Sequence, residues 1–190
     1  MERKLFLIAG CNGAGKTTAS FTVLPEILNC REFVNADEIA RGLSPFNPNS
    51  VAIEAGRLML MRIRELLEKE ETFAVETTLA TKSYINLVRQ AQSQGYSVNL
   101  LYFWIQDPAL AIQRVAERVH NGGHDIPEDV IRRRYISGIQ NLFNIYMNNV
   151  DTWSIFDNSI NPRQKVAAGG KFVETKIFNH ETYKQIKEYV

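Results

Sequence analysis

The 190-residue sequence predicts an α/β domain of three layers, with a mostly parallel five-stranded sheet, a helical arginine-bearing lid and a C-terminal β-hairpin. Three observations carry this expectation. Short, nearly all-apolar runs alternate with helix-like segments as far as Phe156. A glycine-rich octet lies between the first such run and the first helix. No Pro/Ser linker, internal repeat or low-complexity tract interrupts the chain, so positions 1–190 read as a single domain.

Taken in order, Lys4–Ala9 is apolar almost throughout, the pattern of a strand covered on both faces. Gly15–Leu28 reads as the helix that follows, and Glu32–Asn35 as a second strand. Asn47-Pro48 predicts a helix start, with Asn47 as cap and Pro48 at the first helical position. Within that helix Ala52, Ala55, Met59, Ile63 and Leu66 recur at helical spacing. Thr72–Glu76 is the third strand, Lys82–Gln94 a helix ended by Gly95, and Val98–Ile105 the fourth strand. Pro108–His120 starts another helix, and Thr152–Phe156 is the fifth strand. Between them, Asn121-Gly122-Gly123-His124 predicts a hinge, with the next helix beginning near Asp125-Ile126-Pro127-Glu128. Gln164–Ala168 and Lys171–Phe178 flank Gly169-Gly170 as a hairpin, and Glu181–Val190 is a final helix.

Composition excludes several function classes. Lys and Arg total 22 against 21 Asp and Glu, a net charge of +1, which gives no expectation of a nucleic-acid or anionic-membrane partner. Cys11 and Cys30 form no CxxC and only three histidines accompany them, so neither a disulfide framework nor a structural zinc is expected. The longest apolar runs, Leu5–Ala9 and Leu100–Ile105, are far short of a bilayer span. Met1-Glu2-Arg3-Lys4 leads into a strand with no cleavage site, and the expectation is a soluble, cytoplasmic protein.

Gly10-Cys11-Asn12-Gly13-Ala14-Gly15-Lys16-Thr17 fits G-x-x-x-x-G-K-[ST] in full, and it sits between a strand and a helix as that motif must. The glycines let successive backbone N–H groups curl around an anion, and the helix N-terminus adds its partial positive charge. Gly10, Asn12, Gly13, Ala14, Gly15, Lys16, Thr17 and Thr18 are therefore the candidate nucleotide cradle, with Lys16 reaching the β/γ-phosphates of ATP and the Thr17 hydroxyl joining a Mg²⁺ shell. This is the phosphate loop of the P-loop NTPases. No SGGQ signature, no long apolar run ending in Asp-Glu and no N-K-x-D motif follows, so transporter ATPase and GTPase readings fail. The length suits a small-molecule kinase.

Ligands of open α/β sheets bind beyond the carboxyl ends of the strands. Asp37 follows the second strand and Glu76 ends the third, which places both near Lys16. Phosphoryl transfer to a hydroxyl needs a carboxylate to accept or orient the acceptor proton, and Asp37 is assigned that role. Glu76 is assigned to acceptor hydroxyls or a Mg²⁺-bound water, with Thr77 beside it. The alternatives are a helix cap at Asp37 and a water-facing strand-end acid at Glu76. Arg114, Arg118, Arg132, Arg133 and Arg134 flank the glycine hinge, where closure would bring a guanidinium to the γ-phosphate. Arg118 is the first choice for that contact, Arg114 shares its helix face, and His124 is a candidate acceptor contact. Solvated helix surface is the alternative for any one arginine.

The phosphate loop, Phe33-Val34-Asn35-Ala36-Asp37, Glu76-Thr77-Thr78-Leu79 and Arg118…Gly122-Gly123-His124-Asp125-Ile126-Pro127 together resemble the zeta-toxin-like kinases, over about residues 4–160. The resemblance implies transfer of the γ-phosphate of ATP. Toxin members of that family phosphorylate UDP-N-acetylglucosamine and are held inactive by a small helical antitoxin, so a small-molecule acceptor and an antitoxin-like partner are the implied partners. It also implies Lys16 as the phosphate lysine, Asp37 as the base, Glu76 as an acceptor-site acid and Arg118 as a lid arginine. This chain differs from the toxins in having Asn12-Gly13-Ala14-Gly15 in its loop and His124-Asp125 where they carry a second lid arginine. Asn158, in the loop after the fifth strand and followed by Arg163, lies where related kinases cradle adenine. Two other readings stand beside this one. A polynucleotide 5′-hydroxyl kinase would use Tyr96, Tyr102 and Trp104 as contacts, and a non-catalytic ATP-binding module would regulate a partner.

Overall fold

Leu5, Phe6, Leu7, Ile8 and Ala9 are buried one after another in the first strand, β1 (Lys4–Ala9), so both faces of the sheet at its centre are covered. The computed structural model describes residues 2–120, 123 and 125–190. Four further parallel strands flank β1: β2 (Glu32–Val34), β3 (Phe73–Thr77), β4 (Ser97–Trp104) and β5 (Thr152–Asp157). Their order is β2-β3-β1-β4-β5, so the chain leaves β1 towards one edge and later returns to the other. The carboxyl ends of β1, β3 and β4 therefore border one crevice, where such sheets bind ligands.

The sheet is larger than expected. The C-terminal strands β6 (Gln164–Gly170) and β7 (Val173–Ile177) pair antiparallel, β6 on β5 and β7 on β6, giving seven strands in a single sheet. The added hairpin covers the β5 edge, which would otherwise present unpaired backbone groups. Its turn is not at Gly169-Gly170, which belong to β6. A Cβ on Gly169 would stand 2.7 Å from Trp153 Cζ2, so this glycine serves a close approach to the neighbouring strand, and the chain reverses at Lys171-Phe172 instead.

The helices are α1 (Lys16–Thr22), α2 (Ala36–Leu43), α3 (Ala52–Glu68), α4 (Tyr84–Ser93), α5 (Pro108–His120), α6 (Glu128–Asn141) and α7 (His180–Lys187). Three departures from expectation have local causes. The first helix gives way to a π turn at Val23–Ile27, around Pro25, which lacks the N–H that an α register requires. A single 3-10 turn, Pro48–Val51, precedes α3; Asn47 makes no side-chain cap, and its carbonyl accepts instead from Ser50 Oγ at 2.8 Å. The alternative of a helix cap at Asp37 is not what α2 shows. The cap is Asn35, whose Oδ1 accepts from Asp37 N at 2.8 Å and Glu38 N at 3.4 Å. Tyr135, Tyr146 and Trp153 are buried in the core. No helix among the described residues is long and apolar enough to cross a membrane.

Candidate active site

The octet turns between β1 and α1 with Gly13 at φ +82° and Gly15 at φ +75°, both in the left-handed region that glycine tolerates. Space demands glycine as well: a Cβ on Gly13 would meet Ala111 O of α5, and one on Gly15 would stand 2.6 Å from Asn158 Nδ2. Gly10 backs onto Phe103 of β4 and Ala14 is buried, so these two shape the loop from behind. Lys16, only 5% exposed, donates to Cys11 O at 2.9 Å and pairs with Glu76 Oε1 at 3.4 Å.

Glu76, at the end of β3, is the meeting point of the site. Its Oε2 accepts from Thr17 Oγ1 at 2.8 Å and from Asn35 Nδ2 at 2.9 Å. In sequence Asn35 ends the second strand and falls within the Phe33–Asp37 stretch; no spacing rule marks its contact with Glu76, because that partner lies 41 positions away. A hydroxyl and a carboxylate side by side are hard oxygen donors. Among the described residues no group of three or more His, Cys, Asp or Glu could hold a metal ion. As hard oxygen donors, the two would suit a cation such as Mg²⁺ that completes its shell with water and phosphate oxygens.

Around the loop lies a cleft of about 1080 Å³ lined by Lys16, Thr17, Thr18, Asp37, Glu76, Arg114, Arg118 and Arg163, among others. A second lobe of about 680 Å³ shares Thr17, Asp37, Glu38 and Arg118 with it and adds Phe21, Arg41 and Phe46. Asp37 is thus exposed into the same opening as Lys16, from the first turn of α2. Arg118 of α5 lines both lobes.

The remaining candidates differ in their placement: Arg114 and Asn158 also line the cleft, and both bond to its loops. Arg114 NH1 and NH2 donate to Asn158 O and Ser159 O, each at 2.9 Å, fixing the loop after β5. Asn158 Nδ2 in turn donates to Ala14 O at 2.7 Å, tying that loop to the phosphate loop. Thr77 is buried, lies outside the cleft lining, and its Oγ1 accepts from Leu79 N at 3.0 Å, bracing a residue held at φ +58°. His124, with Asn121 and Gly122 of the expected hinge, lies outside the described residues. Of the three consecutive arginines of α6, Arg132 and Arg133 are exposed, whereas Arg134 NH1 donates to Asn12 Oδ1 at 3.0 Å across 122 positions. Tyr96, Tyr102 and Trp104 are all buried, at 4%, 2% and 2% exposure, and offer no stacking platform to a nucleic acid. Burial pushes the Cys11 thiol up to about 11, partly offset by the Lys16 charge, so it is no thiolate at neutral pH.

The sequence model of the zeta toxin family matches residues 2–160. The chain belongs to the zeta toxin family. An uncharacterized protein of Haemophilus influenzae is 30% identical over 135 residues, which are 71% of this chain and 94% of that protein. Among solved structures, the AvrRxo1-ORF1:AvrRxo1-ORF2 complex with sulphate ions contains a chain of like fold, at TM-score 0.79 and 17% identity. The alignment covers 97% of this zeta toxin family member and 63% of that chain, so the present chain spans less than two thirds of it. The same complex has been solved with ATP, at TM-score 0.77. The PezAT chromosomal toxin-antitoxin system of Streptococcus pneumoniae gives TM-score 0.66 at 16% identity, covering 99% of this chain and 86% of that one. A gluconokinase from Sinorhizobium meliloti gives 0.52 at 15% identity, with 83% of both chains covered. The family member therefore shares the α/β fold of these chains.

Proposed function

We propose that this chain is an ATP-dependent kinase that transfers the γ-phosphoryl group to a hydroxyl of a small molecule. The observation that carries the reading is the Lys16–Glu76–Thr17 cluster, opening on the same cleft as Asp37. In this reading the loop N–H groups and Lys16 hold the phosphates. Thr17 and Glu76 would hold Mg²⁺, which when bound neutralises phosphate charge. The acceptor oxygen bonds to the γ-phosphorus, the bond to the β–γ bridging oxygen breaks, ADP leaves, and Asp37 receives the acceptor proton. Arg118 and Arg134 supply guanidinium charge to the transferring group, and Arg114 with Asn158 shapes the nucleoside wall. ATP as the nucleotide accords with the related fold solved with ATP.

The second lobe suits an acceptor with both an apolar face and anionic groups, because exposed Phe21 and Phe46 stand there with Arg118 and with Arg41, which Glu38 pairs at 3.6 Å. A nucleotide sugar such as UDP-N-acetylglucosamine has that chemistry, and it is the acceptor of the toxins this sequence resembles. An antitoxin-like partner and a cytoplasmic location belong to the same proposal; the PezAT likeness supports the partner.

Mass spectrometry of a cell extract incubated with enzyme and ATP should reveal a metabolite heavier by about 80 Da, one phosphoryl group. Acceptor-stimulated ADP release is expected from the wild type. Asp37→Asn should retain ATP binding and lose roughly 10²–10⁴-fold in kcat. Slow hydrolysis that no acceptor stimulates would instead mark a nucleotide-dependent switch.

A further inference from the structure

Asn35 is 6% exposed and joins two parts of the site through one planar amide. On one side its Oδ1 accepts from the N–H groups of Asp37 and Glu38, at 2.8 and 3.4 Å. On the other its Nδ2 donates to Glu76 Oε2 at 2.9 Å and approaches Thr17 Oγ1 at 3.5 Å. The amide can be oriented only this way, because the flipped group would set NH₂ against two N–H donors and oxygen against a carboxylate. Helix capping alone does not account for the residue. Serine and aspartate cap as well as asparagine, but aspartate has no donor for Glu76 and serine is too short to serve both partners.

We infer that Asn35 is a positioning residue that sets the Glu76 carboxylate against Thr17 and, through the start of α2, fixes Asp37 relative to that pair. The inference rests on reading Thr17 and Glu76 as the metal-holding pair. Held on its two oxygens by three donors among the described residues, Glu76 has a second rotamer open to it once Nδ2 is removed, and its oxygen then leaves the Thr17 hydroxyl. Partners that orient a metal-binding group are worth about 10–100-fold in metal affinity when removed.

Asn35→Ser keeps the cap and removes the donor, whereas Asn35→Ala removes both. Mn²⁺ binding, titrated by electron paramagnetic resonance with a non-hydrolysable ATP analogue present, should weaken about tenfold in both variants. Asn35→Ala, which also loses the cap, should melt about 2–4 °C below Asn35→Ser. With an acceptor in hand, Asn35→Ser should lower kcat and leave the acceptor KM unchanged. Wild-type Mn²⁺ affinity in Asn35→Ser would overturn the inference, as would a wild type that binds no Mn²⁺ with the analogue. Should no acceptor stimulate the wild type, the kinase reading fails alone, because the Mn²⁺ titration still judges Asn35.

Discussion

Glu76 draws Lys16, Thr17 and Asn35 onto one carboxylate whose side chain is 10% exposed. Such a group is held by its partners, and each partner is held by it. Glu76→Gln keeps the shape and removes the charge facing Lys16. It should destabilise the fold by about 1–3 kcal/mol in urea unfolding, less than a fully buried pair because the cleft admits water. The two thiols behave in the opposite sense. Burial pushes both Cys11 and Cys30 from an ordinary 9.0 up to about 11. Between those values the unfolded chain has released thiol protons that the folded chain keeps, so stability is full below pH 9 and falls as pH rises towards 11. Melting temperatures at pH 8 and pH 10 should show the drop. Native alkylation by iodoacetamide at neutral pH should be slow at both cysteines and complete on unfolding.

At the scale of elements, α6 delivers one of its three consecutive arginines to the phosphate loop and leaves two in solvent. Arg134→Gln should therefore lower kcat at least tenfold, whereas Arg132→Gln and Arg133→Gln should stay near wild type in the same turnover assay. The β5–β6 pair depends on a missing side chain. Gly169→Val would drive a methyl-bearing Cβ into Trp153, and the expected loss is about 1–3 kcal/mol in denaturant midpoint experiments. These two elements also illustrate different degrees of legibility. The 3–4 spacing of Ala55, Met59, Ile63 and Leu66 marks the buried face of α3, because helix periodicity and burial coincide there, whereas Ala52 at the helix start is exposed. Gly169-Gly170 reads as a turn in sequence but lies within β6, because a glycine required by a neighbouring strand looks the same in sequence as one required by a bend.

For the whole molecule, the seven-stranded sheet carries the nucleotide loop at its centre and its C-terminal hairpin at one edge. Ligand binding to that loop should therefore stabilise the entire cooperative unit. At 100 times its Kd, Mg²⁺–ATP should add about 2.7 kcal/mol, a rise in melting temperature of roughly 5–10 °C by differential scanning fluorimetry. The hairpin is part of the same unit, since Val166 and Ala167 of β6 and Ile186 of α7 are buried in the one core.

The amino-acid sequence by itself determined the alternation of strands and helices, the phosphate loop and the family. Each of these is written in contiguous residues whose chemistry acts locally: apolar runs, glycines that permit positive φ, and a lysine and hydroxyl at set offsets. Tertiary structure alone decided that Asn35 braces Glu76 beside Thr17, that Arg134 and not its neighbours reaches Asn12, and that Arg114 holds the loop after β5. The physical reason is that these contacts join residues tens of positions apart. Strand order and register set their distances, and no local pattern of residues carries that information.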